Sequence, residues 1–307
     1  MKKNILIFGG TGFIGFHLSL QCLKKKWNVT SVSSREPAVS KRLKKVKYIT
    51  CNISSINNIK KKIPKRNIDY VINLAGYVDH SNKFKVYKSH YEGCKNLANF
   101  FANKKIKSFI QMGSGLEYGD NYRLHKETFQ CKPKSHYAKA KYLATKYLLK
   151  LYKIKNFPVT ILRLYQAYGP YQDFNRLIPQ AIINSLQNKK FNCTSGIQKR
   201  DFIYIDDLVK VIFTVLQNKK TSGEIINIGP GKRIKIRNSK FILGDCLNEL
   251  KRLETESVDM IFCDPPYFLQ LTKELHRPDM SIVKGVKENW DKFSSYSEYD
   301  KFSKIWL

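Results

Sequence analysis

The sequence predicts an α/β fold in which helices cover both faces of a parallel sheet, followed by a shorter α/β segment. Short apolar runs that are typical of strands alternate with helical stretches over residues 1–235. A glycine-rich turn follows the first strand and leads directly into a helix. The chain has 307 residues, which is enough for about two domains.

The predicted elements follow one another regularly until a glycine and proline turn at 229–231. Strands are expected at 4–8, 28–32, 46–50, 70–74, 107–112, 158–164 and 224–228. Helices are expected at 13–25, 84–103, 136–154, 177–187 and 206–217. A second unit follows, with a strand at 241–243, a helix at 245–253 and an apolar strand at 258–263. We therefore predict one domain over 1–236 and another over 239–307.

The net charge of +32 first suggests a polyanion as a partner. The excess is uneven, because residues 236–307 carry 11 basic and 12 acidic side chains, whereas residues 1–235 carry 45 and 12. A general bias toward lysine, isoleucine and asparagine explains the basic excess of residues 1–235 better than one binding site does. The charge therefore says little about function, but its abrupt end near residue 236 supports the predicted boundary.

The cysteine pattern predicts a reduced, cytoplasmic chain without a metal site. There are seven cysteines, an odd number, and no C-x-x-C pair. The apolar run at 5–8 is too short for a signal peptide, and no run approaches the roughly 18 apolar residues of a membrane helix.

The turn GGTGFIG at 9–15 carries the first functional motif. Gly9, Gly12 and Gly15 form the pattern G-x-x-G-x-x-G, and Phe13 and Ile14 lie between the last two glycines. Glycine permits a tight turn and lets backbone N–H groups reach a pyrophosphate at the helix N-terminus. We expect these five residues to bind a dinucleotide cofactor. The alternative is a plain strand–helix turn.

The end of the second strand bears on the choice of cofactor. An NAD-binding unit usually has an acidic residue there for the ribose hydroxyls. This chain has Ser33 instead, with Arg35 close behind. A small hydroxyl and an arginine fit a 2′-phosphate, so NADP is favoured over NAD, although Arg35 could equally be a solvated loop residue.

Three further residues suggest proton transfer. Tyr137 and Lys141 have the i, i+4 spacing that places two side chains on one face of a helix. A cation beside a tyrosine lowers its pKa from the usual value of about 10, as acid/base work near neutrality requires. Ser114, just past the strand at 107–112, can hydrogen-bond a reacting oxygen. By itself, Y-x-x-x-K could be a surface pair.

Together the motifs resemble the extended short-chain dehydrogenase/reductases, the NAD(P)-dependent nucleotide-sugar epimerase/dehydratase family. The matching strings are GGTGFIG at 9–15, NLAG at 73–76, GSGLEYG at 113–119, YAKAK at 137–141, LRLYQAYGP at 162–170 and RDFIYIDDL at 200–208. The resemblance implies a Rossmann-type doubly wound sheet with a substrate lobe, here partial, and a homodimer. It implies Tyr137 as the acid/base, Lys141 on the nicotinamide ribose, Ser114 on the sugar oxygen and Arg200 on the nucleotide diphosphate.

One departure from the family affects the expected reaction. Family dehydratases carry an acidic pair where this chain has Gly115 and Leu116, and Glu117 is the only acid nearby. A 4-epimerase or a 4-keto-sugar reductase, acting by hydride transfer at a sugar carbon, therefore fits better than a dehydratase. For Arg200 the alternative is a buried ion pair with Asp201. His80 and His136 lie near the site in sequence and are given no role.

The C-terminal segment resembles a different family. Residues 239–307 are similar to the first part of the DNA adenine-N6 methyltransferases of the cell-cycle-regulated bacterial type. The tetrad Asp264, Pro265, Pro266 and Tyr267 follows the apolar strand and would bind the target amine of a flipped base, with S-adenosylmethionine as donor and DNA as partner. No F-x-G-x-G donor loop follows it. Two alternatives remain, a DNA methyltransferase with a passenger domain and a recombined open reading frame with neither activity.

Overall fold

The computed structural model describes residues 2–64, 67–120, 124–187, 189, 199–232 and 234–235. The predicted second domain at 239–307 lies outside the described residues. The same holds for the predicted methyltransferase site, Asp264, Pro265, Pro266 and Tyr267.

The core is a parallel seven-stranded sheet, as the alternation of strands and helices predicts. Its strands, in chain order, are β1 Asn4–Phe8, β2 Asn28–Ser33, β3 Val46–Thr50, β4 Tyr70–Asn73, β5 Ser108–Ser114, β6 Val159–Leu164 and β10 Ile225–Ile228. The strands are arranged in the order β10-β6-β5-β4-β1-β2-β3. The chain builds outward from β1 to β3 and then returns to the other side of β1 with β4. A crevice therefore forms at the carboxyl ends of β1 and β4, where such sheets bind ligands.

Helices cover both faces of this sheet. The helices are α1 Phe13–Lys24, α2 Ile56–Lys62, α3 Lys83–Tyr87, α4 Gly93–Phe101, α5 His136–Lys155, α6 Leu177–Leu186 and α7 Ile205–Gln217. Successive side chains of β1 point to opposite faces, so Ile7 packs with α1 and α7, whereas Phe8 packs with α2, α4 and α5. This two-sided burial explains why the central strands β1 and β4 are nearly continuous apolar runs rather than alternating ones.

The sequence predicted one helix over 84–103, and the structure divides it. A π turn, Lys88–Glu92, separates α3 from α4. The π turn adds a residue to one turn of the helix and so redirects the side chains within it. Here it carries His90 into the interior, where the ring is 6% exposed. A regular helical pattern in the sequence contains no sign of such an insertion.

Four short strands were not predicted. Gln166–Tyr168 (β7) pairs with Phe202–Tyr204 (β9), and Lys199–Arg200 (β8) pairs with Ile234–Lys235 (β11). Segments of two or three residues have too little periodicity to identify, and their pairing depends on tertiary contacts. In the described part of the chain, no helix is long and apolar enough to cross a membrane.

Candidate active site

The glycine turn packs closely against the backbone of the loop after β4 and against the start of α1. Gly9 has a φ of +77°, and a Cβ at this position would lie 2.8 Å from the backbone of Leu74 and Ala75. A Cβ on Gly15 would lie 2.4 Å from the Gly9 carbonyl oxygen, so α1 packs directly on the turn. Both positions therefore require glycine, which explains the first and last glycines of the motif.

The N-terminus of α1 lacks a protein cap. Its N-cap residue is Gly12, without a side-chain hydrogen bond, and its first turn contains no acidic residue. The first intrahelical bond runs from the Phe16 N–H to the Gly12 carbonyl, at 2.9 Å. The amides before it have no partner within the helix, so this end is suited to an anionic group. A Cβ on Gly12 would approach only the Gly9 oxygen, at 3.3 Å, so space remains in front of the helix.

A cleft of about 1330 Å³ extends from this helix end along the carboxyl edge of the sheet. The glycine turn, the end of β2 and the loop after β4 all line it. Its basic lining residues are Arg35, Lys41, Lys85, Lys88 and Arg176. A cleft of this volume with several cations can accommodate a large ligand that carries phosphates.

The two residues predicted to select the cofactor have different surroundings. Ser33 is held by the glycine turn, because its hydroxyl accepts a hydrogen bond from the Thr11 N–H at 3.2 Å. Arg35 lines the cleft. Glu36, which the sequence analysis did not consider, also lines it, but its carboxylate accepts the Thr50 hydroxyl at 2.8 Å and pairs with Arg42 at 3.2 Å.

Lys141 and Tyr137 lie on the same face of α5, as their spacing predicts. Lys141 is 5% exposed, and its ammonium donates a hydrogen bond to the Met112 carbonyl at 2.7 Å. The same nitrogen lies 5.8 Å from the centre of the Tyr137 ring. The buried cation and the half-buried phenol are therefore held beside each other, one turn of α5 apart.

Ser114 is the last residue of β5, which also holds Met112. Its hydroxyl accepts a hydrogen bond from the Leu116 N–H at 3.2 Å, and its own N–H donates to Glu117 Oε1 at 2.9 Å. Since a lone pair of the hydroxyl is engaged by a backbone donor, its proton is available to a different acceptor. The buried Ser114 can therefore donate a hydrogen bond to a reacting oxygen.

Glu117 is committed to a buried ion pair. Its Oε2 pairs with the Arg163 guanidinium at 3.1 Å and also accepts the Thr145 hydroxyl at 2.9 Å, and its side chain is fully buried. Burial is the largest single influence and lowers the pKa of Arg163, but Glu117, Tyr118 and Cys131 together outweigh it, so the net shift of the pKa is upward. A carboxylate engaged in this way is not free to act on a bound ligand.

The position before Leu116 has no room for an acidic side chain. A Cβ on Gly115 would lie 2.6 Å from the ring of Tyr165. The glycine at position 115 is therefore matched by the packing around it. Leu116 itself is 52% exposed.

Two histidines surround Tyr137. The His80 ring stacks on the Tyr137 ring at 4.2 Å and 17°, and the His90 ring meets it edge-on at 4.9 Å and 88°. From the sequence, His80 was assigned no role and His90 was not predicted to be a site residue. The only feature of the sequence that could have indicated a role for either histidine was the proximity of His80 to the NLAG string. His136, the first residue of α5, is exposed.

Burial lowers the pKa of both histidines. The pKa of His90 falls to about 3, chiefly through burial and then through the charge of Lys141. The pKa of His80 is also lowered, by burial and then by Arg176 and Lys141. His90 is therefore neutral at physiological pH.

Arg200 is exposed on β8, whereas Asp201 is buried. An exposed Arg200 does not fit the alternative of a buried ion pair between these two residues. Arg200 is not among the described residues that line the cleft. Its predicted contact with a nucleotide diphosphate stays a prediction.

Comparison with known proteins identifies relatives for most of the chain. It is 32% identical over 263 residues to a dTDP-D-glucose 4,6-dehydratase of Dictyostelium discoideum, an alignment that covers 74% of this chain and 58% of that protein. It is 30% identical to a dTDP-D-glucose 4,6-dehydratase of Mus musculus, covering 93% of this chain and 87% of the relative.

A solved structure has the same fold. The UDP-glucuronic acid 4-epimerase from Bacillus cereus, in complex with UDP-glucuronic acid and NAD, superimposes with a TM-score of 0.67 at 26% identity. The superposition covers 76% of this chain and 79% of the epimerase. The NAD dependent epimerase/dehydratase family profile matches residues 5–229. The expected resemblance of the N-terminal part to this family is confirmed, and the chain belongs to the NAD dependent epimerase/dehydratase family.

Proposed function

We propose that this chain is an NAD(P)-linked oxidoreductase of nucleotide sugars, either a 4-epimerase or a 4-keto-sugar reductase. The observation that carries the proposal is the buried Lys141 ammonium beside the Tyr137 ring, next to the strand that ends in Ser114. These three side chains supply an acid/base, a fixed cation and a hydrogen-bond donor. The cleft along the same sheet edge supplies room for a long phosphate-bearing ligand.

The glycine turn would hold the cofactor. The backbone N–H groups of Phe13, Ile14 and Gly15 lie at the uncapped end of α1 and fit a pyrophosphate, whereas the Gly12 N–H donates to the Gly9 carbonyl at 3.1 Å. NAD bound in the Bacillus cereus epimerase is consistent with this fit. When bound, the nicotinamide would accept or return a hydride at a sugar carbon.

The protein residues would move the proton. In the oxidation direction, the Tyr137 phenolate takes the proton of the sugar hydroxyl while the hydride leaves the same carbon. Lys141 stabilises the phenolate and would contact the nicotinamide ribose. Ser114 donates a hydrogen bond to the sugar oxygen throughout. In the reduction direction, the protonated Tyr137 returns its proton to the newly formed alkoxide.

The residues around Ser114 favour epimerisation or reduction over dehydration. Dehydration needs an acid and a base beside the reacting carbons, and Gly115 and Leu116 provide neither. Glu117 is the one acid of the segment, and Arg163 and Thr145 occupy its carboxylate. The two relatives at 30% and 32% identity are dehydratases, so this choice rests on the residues of this chain.

We further propose that NADP is preferred over NAD. Arg35 is the cation beside the end of β2, and Ser33 leaves room for a 2′-phosphate where an acidic residue would repel it. Arg200 is proposed for the nucleotide diphosphate of the substrate, and the active assembly is proposed to be a homodimer.

The test is a direct measurement of cofactor and substrate. Purified full-length protein is titrated with NADPH and NADH, followed by their fluorescence, and then incubated with UDP- and dTDP-sugars, with products identified by NMR. We expect cofactor binding and a 4-epimer or a reduced sugar as product. Binding of neither cofactor, or a 4-keto-6-deoxy product, would contradict the proposal.

A partial DNA adenine-N6 methyltransferase segment is a separate prediction from the sequence of residues 239–307. It rests on the tetrad Asp264, Pro265, Pro266 and Tyr267, which lies outside the described residues. Transfer of labelled methyl groups from S-adenosylmethionine to DNA would support it. We expect no transfer by this chain alone, because no F-x-G-x-G donor loop follows the tetrad.

A further inference from the structure

A tyrosine and a histidine form a second titratable pair at the carboxyl edge of the sheet. Tyr165 directly follows β6, and its hydroxyl lies 2.8 Å from Nδ1 of His125, a residue of the segment between β5 and α5. The two rings are 5.9 Å apart at an angle of 27°. A phenol and an imidazole at this distance share one proton, which either atom can hold. Neither residue takes part in the proton transfer assigned to Tyr137.

The pair lies beside the end of β5, where Ser114 is placed. Strands β5 and β6 are neighbours in the sheet, and Ser114 is opposite Leu164, the residue before Tyr165. The Tyr165 ring covers Gly115, the residue after Ser114. A Cβ on Gly115 would lie 2.6 Å from Cε1 of that ring and 3.0 Å from Cζ, the carbon that carries the hydroxyl. The phenol is therefore close to the residue that is proposed to bind the sugar oxygen.

His125 is held in place by β10, the strand on the other side of β6. Its ring packs on the Tyr118 ring at 4.4 Å, and the Tyr118 hydroxyl donates to Asn227 Oδ1 at 2.9 Å. The side-chain nitrogen of Asn227 donates to the His125 carbonyl oxygen at 3.1 Å. Tyr165 and His125 are both only partly buried, so the pair is fixed in position and still accessible to solvent. Groups that transfer protons need both properties.

We propose that Tyr165 is a second acid/base, paired with His125, and that it exchanges a proton on a carbon next to C4 of the bound sugar. This inference rests on the proposed function, because a 4-epimerase and a 4-keto-sugar reductase both have a ketone at C4 of the bound sugar. A ketone acidifies the hydrogens on the two neighbouring carbons, C3 and C5. The substrate of the added activity is therefore a 4-keto-hexosyl nucleotide.

The proton transfer balances without a further reactant. Tyr165 gives its hydroxyl proton to Nδ1 of His125 and, as the phenolate, takes the proton from the sugar carbon. The electron pair of that C–H bond forms the enolate, whose oxygen accepts the hydrogen bond from Ser114. The pair exchanges the proton with water through His125, and Tyr165 then returns a proton to the carbon. No C–O bond breaks, so the sugar is neither dehydrated nor oxidised in this step.

The exchange is measured by supplying the ketone directly. Full-length protein is incubated in D₂O with dTDP-4-keto-6-deoxyglucose, and deuterium at C3 and C5 is followed by ¹H NMR against the same solution without protein. We expect the wild type to accelerate exchange at one of the two carbons. Tyr165→Phe keeps the ring against Gly115 but lacks the hydroxyl, and should lower the protein-dependent rate by about a hundredfold or more, as is typical of lost acid/base assistance.

Two further variants complete the test. His125→Phe leaves the Tyr165 hydroxyl in place without its proton acceptor and should also lower the exchange rate. Tyr152→Phe, near the C-terminal end of α5, is the matched control and should exchange as wild type does. Melting temperatures of the variants should stay close to that of the wild type, which separates a chemical loss from unfolding.

Two results would overturn the inference: a wild-type rate no faster than the rate without protein, or equal rates in Y165F and the wild type. Because the ketone is supplied, the measurement does not depend on oxidation at C4. Failure of the proposed function is recognised separately, by the absence of cofactor binding to the wild-type protein and of a product altered at C4.

Discussion

The ammonium of Lys141 lies 2.7 Å from the carbonyl oxygen of Met112, two residues before the end of β5. This contact joins the helix that carries Tyr137 to the strand that carries Ser114. The position of the cation is therefore set by the sheet and not only by α5. Because Lys141 is 5% exposed, its charge acts on Tyr137 with little screening by water.

Replacing Lys141 by Met should therefore reduce activity strongly without unfolding the protein. The variant keeps the length and packing of the side chain but removes the charge that stabilises the phenolate. We expect kcat to fall by about a hundredfold or more, in the range typical of lost acid/base assistance. Steady-state kinetics with the sugar nucleotide measure the effect, and circular dichroism checks the fold. Activity near the wild-type level would contradict the assigned role.

The Glu117–Arg163 pair gives a prediction about stability. Glu117→Gln would leave the Arg163 guanidinium, whose side chain is 2% exposed, without its counter-charge. Loss of one partner from a buried pair costs about 3–5 kcal/mol. For a domain of this size that corresponds to a melting temperature lower by about 10 °C. Thermal unfolding followed by circular dichroism measures it.

The double variant Glu117→Leu, Arg163→Met is the matched control. It removes both charges together, so it should be less destabilised than Glu117→Gln. A double variant that is less stable than the single one would show that the network stabilises the fold through its hydrogen bonds rather than through charge pairing.

Burial of His90 predicts a dependence of stability on pH. Its pKa falls from 6.5 to about 3 in the folded protein, so between these values only the unfolded chain takes up the proton. The free energy of unfolding should therefore decrease by up to about 1.4 kcal/mol for each pH unit as pH falls from 6.5 toward 3. Urea unfolding at several pH values measures this slope. His90→Asn should reduce the slope, and an identical slope would indicate that other groups cause it.

Arg35 gives a prediction about cofactor choice. Arg35→Ala should weaken NADPH binding by about tenfold, because a charge-assisted contact with the 2′-phosphate is lost, and should leave NADH binding nearly unchanged. Fluorescence titration with both cofactors measures the ratio. Arg42→Ala is the control, because Arg42 pairs with Glu36 and is not among the described residues that line the cleft. Equal weakening of both cofactors would argue against the NADP preference.

Two glycines of the turn, Gly12 and Gly15, are expected to differ in their effects on stability and on cofactor binding. Gly15→Ala brings a Cβ to 2.4 Å from the Gly9 carbonyl oxygen and should destabilise the protein, because α1 must move away from the turn. Gly12→Ala meets the same oxygen at 3.3 Å and should fold. We expect Gly12→Ala to lower cofactor affinity while its melting temperature stays close to wild type. Thermal unfolding and fluorescence titration together distinguish the two effects.

Much of the fold follows from local sequence patterns. The strand predicted at 4–8 is found at Asn4–Phe8, and the helix predicted at 136–154 is found at His136–Lys155. Buried parallel strands are continuous apolar runs, and helices between them keep a 3.6-residue period, so both can be recognised from sequence. The shared face of Tyr137 and Lys141 follows from the same helical geometry.

The surroundings of the site depend on contacts between distant segments. Glu117 and Arg163 are 46 residues apart in the chain, and only the pairing of β5 with β6 brings them together. The sequence alone showed that Glu117 was the one acid near the motif, but not that its carboxylate is occupied. Similarly, only the tertiary structure shows that Arg200 is exposed while its neighbour Asp201 is buried.

The sequence by itself determined the order of the elements, the glycine turn and the three polar residues of the proposed reaction, because each depends on spacing within one segment. Only the tertiary structure placed His80 and His90 against Tyr137. A single π turn carries His90, whose ring packs against Gly76 and whose Nε2 lies 3.1 Å from the Tyr77 carbonyl oxygen. No local sequence pattern predicts the inward position of His90, because the residues that it contacts belong to the loop after β4.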